Sequence, residues 1–190
     1  RKPSILRKIA ILVMISTAIG IIYEGCNGLF NITGDYGSNF FHEITHETLY
    51  LSFSFTSVVM LLESNHRLPP NSSRLAMTVT SLVQYILWDE HAHMKKGAML
   101  TIHELIAQVC LVSAGAFLYA AKYPSSVAAF VFSFALMVLE GTWIMAAGLN
   151  EIPGHAMTMH QVGSFFCLHV LVIGLVIIVA TACVYKRVAE

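Results

Sequence analysis

The sequence predicts an all-α, polytopic membrane helix bundle with six spans in this chain, and three observations carry that prediction. Of 190 residues, 56 % are hydrophobic and only 12 % are charged, about half the charged share of an ordinary soluble domain. The apolar residues fall into blocks near bilayer length. Short polar stretches, several of them marked by Pro or Gly, separate the blocks. A single transmembrane domain over residues 1–190 follows, with no soluble one.

The uncharged cores run from Ile9 to Tyr23, Thr48 to Leu62, Leu75 to Trp88, Leu105 to Ala121, Tyr123 to Leu139 and Gly163 to Tyr185. Several fall short of the ~20 residues a helix needs to cross a bilayer, so flanking residues must supply the missing turns. The spans are accordingly placed at 5–24, 45–64, 73–92, 102–122, 125–148 and 160–185. His46, His91, His103 and Glu104 are thereby drawn into the membrane boundary. Pro69-Pro70 precedes the third block, Pro124 sits where an N-terminal proline is tolerated, and Pro153-Gly154 breaks the chain before the last. The fourth and fifth spans are expected to form a tight helical hairpin. The chain opens on Arg1 rather than Met, which suggests a preceding segment.

Charge sets the exclusions. A net charge of zero with no basic patch argues against a nucleic-acid partner. Cys26, Cys110, Cys167 and Cys183 lack CxxC spacing, and three of them lie in apolar blocks, so neither a disulfide framework nor a zinc finger is indicated. Threading the spans alternately places Arg1, Lys2, Arg7, Lys8, Arg67, Arg74, Lys122, Lys186 and Arg187 on one side, with only Lys95 and Lys96 on the other. The positive-inside rule makes the first side, and with it both ends of this chain, cytoplasmic. The sequon Asn31-Ile32-Thr33 then falls outside the cytoplasm, although Asn71-Ser72-Ser73 is an equally good sequon on the cytoplasmic side.

With that threading, eight of the nine histidines gather in the lumenal or extracellular half, His66 being the exception, and most acids gather with them. Glu140 lies within an apolar stretch from Ala135 to Met145, where an ionised carboxylate is costly unless paired or ligated. His169 lies about two turns inside the last block. His42 and His46 stand one helical turn apart, a spacing at which two imidazoles can hold one metal ion. His91-Ala92-His93 converges only if extended or at a helix end. Gln108 continues a polar face from Glu104, and Gln84 lies two turns before His91. Tyr23, Tyr50, Trp88 and Tyr185 read as interfacial aromatics.

The run Arg74-Leu75-Ala76-Met77, then His91-Ala92-His93, His103, Glu140-Gly141-Thr142-Trp143 and Cys167-Leu168-His169 resembles the transmembrane protein 45 family, a seven-span group of unknown function. The resemblance covers nearly the whole chain from Glu24 and His46 onward. It implies one more span at the N-terminus and a place in secretory-pathway or plasma membranes, and it supplies no reaction. The family pattern also allows Gln at position 140 and often has a second histidine where this chain has Thr101.

The leading expectation is a transition-metal site (zinc, copper or iron) buried between helices in the lumenal half. Its ligands would be His46, His103 and His169, with Glu140, Glu24, His91 and His93 as further ligands or supports. Such a site would serve either a metal-dependent enzyme acting on a lipid substrate or a metal-handling protein; no catalytic residue is assigned. Haem on His46 and His169 is a lesser option. The competing expectations are a metal-free pH-sensing or proton-relay protein and a structural subunit assembled with other membrane subunits.

Overall fold

A computed structural model describes the backbone of residues 4–30, 36–150, 152 and 154–189, and the side chains of 4–24, 45–150, 152 and 154–182. The chain forms six α-helices: α1 (Ile5–Phe30), α2 (Tyr36–Ser64), α3 (Ser72–Ala92), α4 (Gly97–Lys122), α5 (Val127–Asn150) and α6 (Met159–Ala189). No strand occurs among the described residues. Four helices have segments long and apolar enough to cross a membrane: Ile5–Glu24 of α1, all of α4 and α5, and Met159–Ala182 of α6. The chain is therefore an integral membrane protein built as a helical bundle.

The helices occupy the places the apolar blocks give them, with shifted ends. α2 begins at Tyr36 rather than near residue 45, and α4 at Gly97 rather than near 102. In both cases a polar segment without proline simply extends the helix past the apolar run. Gly97, the first residue of α4, and Gly154, in the loop before α6, carry positive φ, a conformation that favours glycine.

α2 and α3 are long enough to cross but richer in polar residues. α3 resolves this by facing its polar side inward. Thr78, Thr80, Ser81 and Gln84 are buried, whereas Leu75, Val79, Leu82 and Ile86 form an exposed stripe at helical spacing. A helix whose apolar face points out and polar face points in is arranged for lipid rather than water. Its inward hydroxyls link neighbouring helices. Thr80 donates to the Ser52 carbonyl at 2.8 Å, so Thr56 is the donor in its 2.7 Å bond to Thr80. Between α1 and α2, Ser54 donates to Thr17 at 2.8 Å.

The helix ends around the α2–α3 turn are satisfied from other elements. Asn71 precedes α3 with φ 72° and offers no side-chain cap. Instead the Glu63 carboxylate at the end of α2 accepts the Asn71 and Ser73 amide protons, both at 2.7 Å, and places negative charge at the positive end of α3. Arg74 donates to the Ala120 carbonyl at 2.6 Å, occupying an acceptor in the last turn of α4.

Neighbours in sequence are neighbours in space: α1 packs on α2, α2 on α3, α3 on α4, and α4 on both α5 and α6, which also meet each other. Gly20 permits the closest approach of α1 to α2, since a Cβ there would meet the Tyr50 ring. Among the described residues α1 touches α2 alone. The apolar core lies at α3–α4–α5, around Ile102, Ile106, Cys110, Leu139 and Trp143.

Candidate functional site

Among the described residues α1 and α5 do not touch, yet residues of both line one cavity with α2, α3 and α4. The first five helices thus surround one space. Its volume is about 570 Å³, within the usual range of small-ligand sites. The lower wall is mainly apolar, with Leu12 and Val13 from α1, Phe53 from α2 and Met137 from α5, interrupted by Ser16 and Thr17 of α1. Most of the polar residues collect at one end, where α1 and α5 finish and α2 and α4 begin: Glu24, His46, Gln84, Trp88, His91 and His103.

The imidazoles at that end stand side by side. Ring centroids are 5.9 Å apart for His46 and His91 and 5.0 Å apart for His91 and His103, with tilted planes. The Trp88 indole meets the His103 ring edge-on at 5.2 Å. His103 Nδ1 donates to the Met99 carbonyl at 2.7 Å; a carbonyl can only accept, so the neutral ring carries its proton on Nδ1 and its lone pair on Nε2. His46 Nδ1 lies 3.4 Å from the Glu24 carboxylate, joining α1 to α2 across the mouth. In the wall behind, Gln84 is 1 % exposed and Trp88 8 %. Gln84 Nε2 and Trp88 Nε1 are buried N–H donors without a partner among the described residues.

A second polar group lies at the α4–α5–α6 junction. Glu140 and Ser113 are buried, and Glu140 meets the Cys110 thiol. Cys110 in turn donates to Gln84 Oε1 at 3.8 Å. The His169 ring lies edge-on to Trp143 at 5.7 Å.

The expected residues are thus sorted into three places. Glu24, His46, His91 and His103 come together at the cavity. Glu140 and His169 sit at the α4–α5–α6 junction, lining no part of it. His93 is exposed, and its Nδ1 donates to the Asp89 carbonyl at 2.7 Å. Glu104 and Gln108, read as a polar path, are exposed on α4. His42, Glu43, Asp35, Glu151 and the Asn31 sequon lie outside the described side chains.

The expectation of a transition-metal site is corrected by this arrangement: among the described residues, no group of three or more His, Cys, Asp or Glu side chains could hold a metal ion. The physical reason is placement: the expected ligands are divided between the cavity, which holds Glu24, His46, His91 and His103, the α4–α5–α6 junction, which holds Glu140 and His169, and the exposed end of α3, which holds His93.

Trp88 was assigned to the membrane interface by sequence, and the structure instead buries it in the cavity wall. Gln84, Trp88 and His91 stand at i, i+4 and i+7 on α3, and that spacing was the available signal for a shared inward face. Nothing local to Cys110 announced its contacts with Gln84 and Glu140.

The cavity's α3, α4 and α5 walls fall within one stretch of known similarity. Residues 70–150 match a family model described as a family of unknown function, DUF716. No curated protein matches the chain.

Proposed function

We propose that this protein binds a single-chain amphiphile taken from the bilayer, with the chain along the apolar wall and the head at the end bearing Glu24, His46, Gln84, Trp88, His91 and His103. The observation that carries this reading is the cavity itself: a space walled by α1 to α5, apolar over most of its lining and with most of its polar side chains at one end. A ligand of matching polarity gains apolar burial along its chain while its head finds polar partners. The two unpartnered donors in the wall, Gln84 Nε2 and Trp88 Nε1, add a reason for an oxygen-bearing head.

Of the two tryptophans in the chain, Trp88 lines the cavity and Trp143 does not. In a Trp143→Phe background in nanodiscs, a brominated single-chain lipid is expected to quench Trp88 more than brominated phospholipid at equal bromine content. Equal quenching by the two would refute the reading.

The polar end of the cavity, on this proposal, faces the lumen or exterior. Arg7, Lys8, Arg74 and Lys122 belong to the opposite ends of their helices, and Arg67 to the α2–α3 turn at that end, as the positive-inside rule asks of a cytoplasmic face. Labelling of a Lys96→Cys variant by an impermeant thiol reagent in intact cells or sealed vesicles tests the orientation. The resemblance to the transmembrane protein 45 family belongs with this proposal, since Arg74, His91, His103 and Glu140 all lie within the matched residues 70–150.

A further inference from the structure

We propose that the cavity selects a neutral, hydroxyl-bearing head group and rejects an anionic one; this rests on reading the cavity as an amphiphile site. Charge is the first argument. Glu24 lines the polar end, and among the described lining residues there is no Lys or Arg. Lys95 and Lys96 stand in the α3–α4 turn at the same end of the bundle and line no part of the cavity. His46 lies against Glu24, so the pair sums to zero when the imidazole is protonated and to a negative charge when it is not. A phosphate or carboxylate head would leave water for a site with no fixed positive charge and an acid already in it.

Hydrogen-bond chemistry is the second argument. An ionised carboxylate or phosphate group only accepts, whereas a hydroxyl both donates and accepts. Gln84 Nε2 and Trp88 Nε1 are donors that an oxygen of either kind of head can meet, so the acceptor in the site decides between them. The Glu24 carboxylate is an acceptor suited to a hydroxyl's proton. Because His103 commits its Nδ1 proton to the Met99 carbonyl, the neutral ring turns no second N–H toward an anion. The cavity therefore pairs donors with acceptors in the way an alcohol or glycerol head requires. The apolar wall from Leu12 to Phe53 and Met137 takes the chain.

The experiment is displacement of the brominated probe from the Trp143→Phe protein in nanodiscs, at alkaline pH, by three competitors with one acyl chain: monooleoylglycerol, oleate and lysophosphatidate. Monooleoylglycerol is expected to displace at a concentration lower by about tenfold or more than either anion. Glu24→Gln, which keeps the shape and removes the charge, is expected to narrow that gap by strengthening the anions. Equal or better displacement by oleate or lysophosphatidate overturns the head-group selection and leaves the amphiphile reading standing. If none of the three displaces the probe, the amphiphile reading itself fails.

Discussion

Replacing Gln84 by Met is expected to move stability and binding in opposite directions. The Gln84 side chain is 1 % exposed, its Nε2 has no partner among the described residues, and its Oε1 receives only the weak Cys110 thiol bond at 3.8 Å. A buried donor left unsatisfied costs about 1–3 kcal/mol, and Met fills nearly the same volume without it. Subtracting the lost thiol contact leaves a net gain of roughly 1 kcal/mol, which corresponds to about 2–4 °C in midpoint for a chain of this size. The same change removes a hydrogen bond to a ligand head, about 0.5–1.5 kcal/mol, or roughly twofold to tenfold in affinity. Thermal unfolding of the ligand-free protein reads the first effect, and titration of Trp88 quenching by the brominated lipid reads the second. A less stable Met variant would show that the amide is satisfied in the folded protein. A stabilised variant with unchanged quenching would show that Gln84 does not meet the ligand.

Glu63→Ala removes two charge-assisted bonds to the start of α3, and chemical or thermal unfolding is expected to show a loss of about 1–2 kcal/mol, with Glu63→Gln losing less. Thr80→Val breaks both the Thr56 and the Ser52 link, a loss of about 0.5–1.5 kcal/mol by the scale of hydrogen bonds between membrane helices, read by the same unfolding assay. Gly20→Val drives a branched side chain against the Tyr50 ring; because Tyr50 lines the cavity, both the thermal midpoint and quenching by the brominated lipid are expected to fall. His93→Ala, at an exposed ring outside the cavity, should leave binding unchanged in the displacement assay.

The helical order was legible because hydrophobic block length is a property of sequence alone. Rotation of each helix about its axis was not legible. That rotation decides that His103 and His91 face the cavity while Glu104 and His93 do not, although each pair is adjacent or nearly so in the chain. It also decides that Glu140 meets Cys110 in a separate junction from His46. The metal expectation treated residues at one depth as residues at one point. Depth follows from position along a helix, but convergence depends on how each helix is rotated and which neighbours it meets. The cavity itself had no sequence signal, since it depends on the spacing between helices that are distant in the chain.

The inward-facing polarity of α3 has a consequence for how the chain is made. Thr80 and Gln84 find their partners on α2 and α4, so α3 released alone into lipid would expose groups with nothing to bond. It is expected to wait beside α2 at the insertion machinery until α4 is synthesised, and the three to leave together. The entry of α3 into the membrane then depends on a neighbour not yet translated.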